Sequence, residues 1–163
     1  MSDAPVVLVA DDDDDILMLV RATLTAAGYD VVTARDGAAA LDLLRDRPPA
    51  AAVLDIAMPM LDGLEVLTQA RADPATAELP IVLLSARAQE ADVARGYDLG
   101  ASRYVRKPFS PKELRAVVDE LTGLERLREI RVGSGVQAAL DVRLLHARGQ
   151  EDHLQVAERR VSA

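Results

Sequence analysis

The sequence predicts an α/β protein built on a doubly wound parallel sheet of five strands. Three observations lead to this fold class. Short apolar runs alternate with helical patterns five times within residues 1–122. Half of the 163 residues are hydrophobic, which is enough to bury the core of an ordinary domain. Polar residues follow four of the five apolar runs, as expected where open α/β sheets bind their ligands.

Five short segments have the composition of strands that are buried on both faces of a sheet. They are apolar, rich in Val, Leu and Ile, and almost free of charged residues. The predicted strands are residues 6–10, 31–33, 51–54, 81–84 and 104–105.

A helix is predicted after each strand, because apolar residues recur there at helical spacing. Gly28 and Gly100 stand where the end of a helix favours a positive φ, and Pro111 suits the first turn of the fifth helix. The positions predicted to face the core are Ile16, Val20, Leu24, Ala38, Leu41, Leu44, Leu64, Leu67, Ala70, Leu114, Val117, Val118 and Leu121.

Right-handed crossovers and the size of the domain favour the strand order 2-1-3-4-5, the flavodoxin-like arrangement. We predict that residues 1–122 form this domain. Residues 123–163 are predicted to be a short, partly helical C-terminal extension without a recognisable effector domain. In that segment seven arginines are interleaved with six acidic residues, and residues 133–135 break the helical pattern.

The composition excludes several classes of function. The chain has no Cys, which excludes disulfides, thiolate metal sites and a Cys nucleophile. A formal charge of −8 and a pI near 4.7 argue against general affinity for nucleic acid or anionic lipid. No signal peptide is evident, and no apolar run approaches the ~20 residues that span a bilayer. We therefore expect a cytoplasmic protein that binds neither membranes nor nucleic acid.

Five polar side chains are predicted to converge at the carboxyl ends of the strands. Asp11 and Asp12 follow the first strand, Asp55 ends the third, Ser85 ends the fourth and Lys107 follows the fifth. Three carboxylates together need a cation, and without Cys or nearby His a hard ion such as Mg²⁺ is expected. A hydroxyl and an ammonium opposite that ion suit a phosphoryl group, and a central carboxylate can then attack phosphorus.

Four segments of the chain resemble the receiver domain of two-component response regulators, of the chemotaxis-regulator-like kind. They are VLVADD (7–12), LDIAMPMLDG (54–63), IVLLSA (81–86) and GASRYVRKPF (100–109). The segments occur in the family's order and spacing, and together they are highly specific.

The resemblance implies a phosphoacceptor. Asp55 would take a phosphoryl group from the phosphohistidine of a sensor histidine kinase or a phosphotransfer protein. The cofactor implied is Mg²⁺, held by Asp11, Asp12 and Asp55 and by the backbone carbonyl of Ala57.

The resemblance also implies a switch. Ser85 and Lys107 would contact the phosphoryl oxygens, and Tyr104 would be the aromatic residue whose rotamer follows Ser85. The Lys107–Pro108 peptide bond is expected to be cis, which is an accessible state only before Pro.

The interpretation favoured by these residues is a phosphorylation-switched signalling module that is not a turnover enzyme. We expect it to act on a downstream protein target, with a phosphorylation-dependent homodimer as a further expectation. A phosphatase like the haloacid dehalogenases would need a second Asp where this chain has Ala57. A transcription factor stays open as an alternative, with residues 123–163 as a DNA-binding or dimerising effector, although that segment has no clustered basic residues.

Overall fold

The computed structural model describes residues 4–86 and 90–123. Strands and helices alternate along this part of the chain up to Thr122. The strands are β1 (Val6–Ala10), β2 (Asp30–Ala34), β3 (Ala51–Asp55), β4 (Ile81–Ser85) and β5 (Arg103–Arg106). The helices are α1 (Asp14–Ala26), α2 (Gly37–Asp46), α3 (Gly63–Ala72), α4 (Glu90–Asp98) and α5 (Pro111–Thr122).

The five strands form one parallel sheet in the order β2-β1-β3-β4-β5. This confirms the predicted fold class and strand order. Every residue of β3 and β4 is buried, because helices cover both faces of the central strands. The edge strand β2 is more exposed, with only Ala34 buried.

The register of the sheet brings the strand ends to one level. Ala10 at the end of β1 pairs with Ala34 and with Leu54. Asp55 pairs with Leu84, one residue before the end of β4. Polar residues at or just after these ends therefore lie along the same edge of the sheet, as the sequence predicted.

The predicted core positions on the helices are all buried or half-buried. The structure adds further buried helix residues that the sequence did not single out, among them Leu17, Ala40, Val66 and Asp119. Leu17 and Val66 lie beside the predicted core positions of α1 and α3, so the buried face of each helix is one residue wider than predicted. Asp119 is buried because the hydroxyl of Tyr29, also buried, donates a hydrogen bond of 2.5 Å to its Oδ1 atom.

Aspartates cap the N-termini of α1, α2 and α3. Asp13 Oδ1 accepts hydrogen bonds from the N–H groups of Asp15 (2.9 Å) and Ile16 (3.4 Å), and Asp36 and Asp62 cap α2 and α3 in the same way. Asp13 thus has a defined structural role as the N-cap of α1. The predicted positive φ at Gly28 (103°) and Gly100 (107°) is confirmed.

Helix α5 ends at Thr122, and the next residue, Gly123, has a φ of 72°. The predicted partly helical extension falls on residues 124–163, which lie outside the described residues. Among the helices of residues 4–86 and 90–123, none has the length and apolar character needed to cross a membrane.

Candidate functional site

Three aspartates meet at the carboxyl edge of the sheet. Carboxylate oxygens of Asp11, Asp12 and Asp55 all lie within 4.8 Å of one another. Asp11 is fully buried and Asp55 is 4% exposed, whereas Asp12 is open to solvent. Asp11 directly follows β1, and its backbone N–H donates to Ala34 O (3.1 Å), which continues the β1–β2 ladder by one residue. The structure therefore brings together the three aspartates that the sequence placed at this edge of the sheet.

Lys107 places its ammonium between the two buried carboxylates. Its Nζ atom lies 2.8 Å from Asp11 Oδ2 and 3.2 Å from Asp55 Oδ1. Burial alone would lower the pKa of Lys107, but the hydrogen bond to Asp11 and the charges of both aspartates outweigh it and hold the pKa above its usual value. The side chain is therefore a fixed cation at neutral pH. The Lys107–Pro108 bond is cis, as expected.

Asp55 has the most perturbed carboxyl group of the site. Burial, with the charge of Asp11 as the next cause, raises the pKa of Asp55 from 3.8 to about 6, against the opposing effect of Lys107. The charged form is thus costly until a further cation arrives. This electrostatic frustration is typical of a functional site.

Ser85 is the last residue of β4 and is 5% exposed. Its backbone carbonyl accepts a hydrogen bond from the Lys107 N–H (2.8 Å), which ties the ends of β4 and β5 together. Tyr104 is half-buried on β5 and pairs with Leu83 of β4. The structure thus places Ser85 on β4, Tyr104 on β5 and Lys107 directly after β5.

Ala57 is exposed in the loop that follows β3. Two close backbone approaches fix that loop. A Cβ atom on Gly63 would lie 2.4 Å from Asp55 O, and a Cβ atom on Gly37 would lie 1.9 Å from Leu61 O. Neither position has room for a side chain, so glycine at both positions allows the backbone segments to approach this closely beside the site.

Sequence reasoning missed two residues beside this site, Gly37 and Met60, and one residue at the opposite edge of the sheet, Arg71. The sequence marks Gly37 only as part of an Asp-Gly pair. Its contact with the β3–α3 loop joins residues far apart in the chain, so the sequence pattern does not show it. Met60 in that loop is 79% exposed with a φ of 73°, which no pattern in the chain indicates. Arg71 looked like an ordinary surface residue, yet its guanidinium donates to the carbonyls of four residues. These are Thr76, Ala77, Leu79 and Gly100.

The three-carboxylate cluster fits a hard divalent cation. Oxygen donors from a few carboxylates are what Mg²⁺ takes from proteins, and the remaining ligands are waters or phosphate oxygens. One exposed donor, Asp12, leaves an open side for those ligands. Burial and the charge of Asp11 raise the pKa of Asp55, and a cation bound to the cluster would lower that pKa again.

The doubly wound sheet and the acidic cluster beside a lysine define a signalling domain of the response regulator class. A family model, described as the response regulator receiver domain, matches residues 7–119. The chain belongs to this family.

Curated relatives share this part of the chain. The alkaline phosphatase synthesis transcriptional regulatory protein PhoP of Bacillus subtilis is 43% identical over 112 residues, covering 69% of this chain and 46% of PhoP. Response regulator MprA of a Mycobacterium species is 44% identical over 110 residues, covering 68% of this chain and 47% of MprA. The chain spans about half the length of the curated relatives it matches.

Solved structures agree with the fold. The receiver domain of Francisella response regulator 1452 is 34% identical with a TM-score of 0.70, covering 74% of this chain and 98% of that one. The chemotaxis response regulator CheY4 of Vibrio cholerae is 30% identical with a TM-score of 0.69, covering 72% and 98%. The receiver domain of sensor histidine kinase PA1611 from Pseudomonas aeruginosa, 27% identical with a TM-score of 0.69 and covering 74% and 98%, was solved with a magnesium ion coordinated in its active site cleft.

Proposed function

We propose that this chain accepts a phosphoryl group on Asp55 from a phosphohistidine and passes the signal on through a change of shape. The observation that carries the proposal is the cluster of Asp11, Asp12 and Asp55 with the Lys107 ammonium against the two buried carboxylates. The donor is a sensor histidine kinase or a phosphotransfer protein. The chain acts as a stoichiometric acceptor rather than a turnover enzyme.

In this reaction a carboxylate oxygen of Asp55 forms a bond to phosphorus while the N–P bond of the donor breaks. The released imidazole keeps the bonding electrons and takes up a proton. At pH 7 a group with a pKa of about 6 is about 90% ionised, so Asp55 is available as a nucleophile. As the bond to phosphorus forms, part of the negative charge of Asp55 moves onto the phosphoryl group, which lowers the cost of burying the carboxylate.

Asp11, Asp12, Asp55 and the carbonyl of Ala57 would hold Mg²⁺. When bound, the ion neutralises charge on the carboxylates and on the equatorial phosphoryl oxygens. Lys107 supplies a second positive charge from the β5 side and exchanges its ion pair with Asp55 for one with the phosphoryl group. The Ser85 hydroxyl donates a hydrogen bond to another phosphoryl oxygen.

The switch follows from the charge that the phosphoryl group adds. The phosphoryl group carries roughly −1.5 to −2 charge beside Ser85 and Lys107, in place of the single negative charge of the Asp55 carboxylate. Both groups are drawn toward it, and Tyr104 turns into the space that Ser85 leaves. The surface of α4, β5 and α5 then changes shape, and this surface carries the signal to the downstream protein or to a second copy of the chain.

The test of the acceptor is labelling by acetyl phosphate with Mg²⁺, read as intact mass. We expect one acid-labile phosphoryl group on the wild-type chain and none on Asp55→Asn. Asp15→Asn is the matched control, because it removes an exposed acid of the same run without touching the cluster. Full labelling of Asp55→Asn would contradict the assignment.

The metal site is tested separately by titration calorimetry with Mg²⁺ alone. We expect Asp12→Ala to weaken Mg²⁺ binding at least tenfold, because it removes the exposed carboxylate and one negative charge, as loss of ligating or supporting groups typically does. Asp15→Asn should bind Mg²⁺ nearly as the wild type does. Equal affinity in Asp12→Ala would exclude Asp12 as a ligand.

The proposed domain limits are residues 1–122 for the receiver and 123–163 for an extension with a supporting role. The expected cytoplasmic location remains a prediction.

A DNA-binding output is the second candidate, because PhoP of Bacillus subtilis is named a transcriptional regulatory protein. We favour protein contacts, since the extension has interleaved charges. Duplex DNA binding by the full chain with a steep salt dependence would reverse that preference.

A further inference from the structure

Arg35 lies beside the aspartate cluster, in the short connection between β2 and α2. Backbone hydrogen bonds fix both ends of this connection to loops of the site. Before it, Ala34 O accepts a hydrogen bond from the Asp11 N–H (3.1 Å). After it, the Gly37 N–H donates to Pro59 O (3.2 Å). The connection is therefore held between the loop that contains Asp11 and the loop that follows β3.

The Arg35 side chain reaches from this connection to α1. Its Nη2 atom lies 2.7 Å from Asp14 Oδ1, and the two side chains are 72% and 62% exposed. Asp14 is the first residue of α1 and follows Asp13, whose N–H donates to Asp11 Oδ1 (2.9 Å). The guanidinium is thus held against the run of aspartates that begins in the cluster. We call residues 13–15 and 35 the rim of the site.

The rim has a net negative charge. With Mg²⁺ bound, the ion and the Lys107 ammonium together balance the three carboxylates of the cluster. Residues 13–15 are all Asp and add three further negative charges, of which Arg35 offsets one. A phosphoryl group that approaches Asp55 carries close to two negative charges, so the rim repels it.

We propose that Arg35 is a steering residue for the phosphodonor. Its positive charge weakens the repulsion between the rim and the anionic phosphoryl group, and this raises the rate at which the donor reaches Asp55. An ion pair as exposed as that of Arg35 and Asp14 adds little to stability, so the effect of Arg35 lies in its charge. The inference rests on the proposed function, because it concerns the approach of the donor in the same reaction.

The charge of Arg35 acts in opposite directions on the donor and on the metal. A cation at the rim attracts an anion and repels Mg²⁺. Replacing it by an acid should therefore slow labelling and tighten metal binding. A substitution that only disturbed the local structure would weaken both, so the opposite signs distinguish a charge effect from a structural one.

The test is the rate at which acetyl phosphate labels Arg35→Glu in the full chain at saturating Mg²⁺. At an ionic strength of about 0.03 M we expect labelling to be about threefold slower than in the wild type, because the charge at the rim changes by two units. At about 0.5 M the ratio should fall below about 1.3, because salt screens charges at the surface. Arg35→Lys should label at the wild-type rate, since it keeps the charge.

Titration calorimetry with Mg²⁺ alone, at the same low ionic strength, is the second measurement. Arg35→Glu should bind Mg²⁺ about threefold more tightly than the wild type does. Arg45→Glu is the matched control, because it makes the same change of charge in the last turn of α2, at the opposite end of that helix from the site. It should leave the labelling rate and the Mg²⁺ affinity within about 1.3-fold of the wild-type values.

A second control separates the charge of Arg35 from its ion pair. Asp14→Asn breaks the same pair but changes the charge in the opposite direction, so it should label about 1.5-fold faster than the wild type at low ionic strength. Slower labelling of Asp14→Asn, or a loss of rate in Arg35→Glu that persists at high salt, would overturn the proposal. Weaker Mg²⁺ binding by Arg35→Glu would also overturn it. If the wild-type chain takes up no phosphoryl group, the proposed function fails, whereas equal labelling of the wild type and Arg35→Glu overturns only the steering.

Discussion

Replacing Asp55 by Asn is expected to stabilise the metal-free protein at pH 7. Burial and the charge of Asp11 raise the pKa of Asp55 from 3.8 to about 6. A carboxyl group with a raised pKa binds its proton more tightly in the folded chain than in the unfolded one. The folded protein therefore loses stability as the pH rises from about 3.8 to about 6, and it keeps the full penalty above that range.

The size of the effect follows from the shift. A rise of about two pKa units corresponds to ~3 kcal/mol of unfavourable free energy for the ionised form. Asn keeps the shape of the side chain without the charge, and the shift of the pKa already includes the opposing 3.2 Å ion pair with Lys107. We expect Asp55→Asn to raise the free energy of unfolding by ~3 kcal/mol at pH 7 and by much less at pH 4, where the folded wild-type chain carries a neutral Asp55.

The assay is urea denaturation in EDTA at both pH values, with Asp15→Asn as a control for the loss of an exposed charge. Adding Mg²⁺ should narrow the difference at pH 7, because the ion binds the folded wild-type chain more tightly than the folded Asp55→Asn chain. Equal stability of the two proteins at pH 7 in EDTA would refute the electrostatic argument. A gain of the same size at pH 4 would also refute it, since a neutral Asp55 has no charge to relieve.

Three further substitutions test the scaffold around the site. Met60→Gly should raise the denaturation midpoint by an amount equivalent to ~1 kcal/mol, because it relieves a φ of 73°; a lower midpoint would show that the Met60 side chain packs usefully. Tyr29→Phe should cost ~1–3 kcal/mol in the same assay, because buried Asp119 loses a donor, and a neutral result would count against that bond. Arg71→Lys should cost ~2 kcal/mol despite keeping the charge, because an ammonium cannot replace the guanidinium fork; full retention of stability would show the fork to be dispensable.

The fold was predictable because its signals are local and repeated. Strands buried on both faces read as unbroken apolar runs, and each predicted strand lies within an observed one or coincides with it. Asp55 and Ser85 extend β3 and β4 by one residue each beyond the predicted apolar runs. The polar side chains of Asp55 and Ser85 interrupt the apolar pattern, whereas the backbone hydrogen bonds of the sheet continue to these two residues.

The candidate site was predictable for the residues that stand at strand ends, since parallel strands bring such ends together. The contacts that support the site were not. The packing of Gly96 of α4 against Leu83 and of Gly37 against Leu61 depends on how elements far apart in sequence come together. The buried acid at position 119 depends on Tyr29, 90 residues away. Such long-range partners leave no trace in hydrophobic periodicity or capping patterns.

The two edges of the sheet differ in how their buried polar groups are paired. At the carboxyl edge, Asp55 has a pKa raised to about 6, so the ionised site is destabilising by itself. At the amino edge, the Arg71 guanidinium ties α3 to the loop before β4 and to the turn before β5. Tyr29, directly before β2, ties α5 through Asp119 (2.5 Å) and Thr122 (2.8 Å). Under the proposed phosphorylation of Asp55, the added charge would therefore act at the edge of the sheet that lies away from these anchoring bonds.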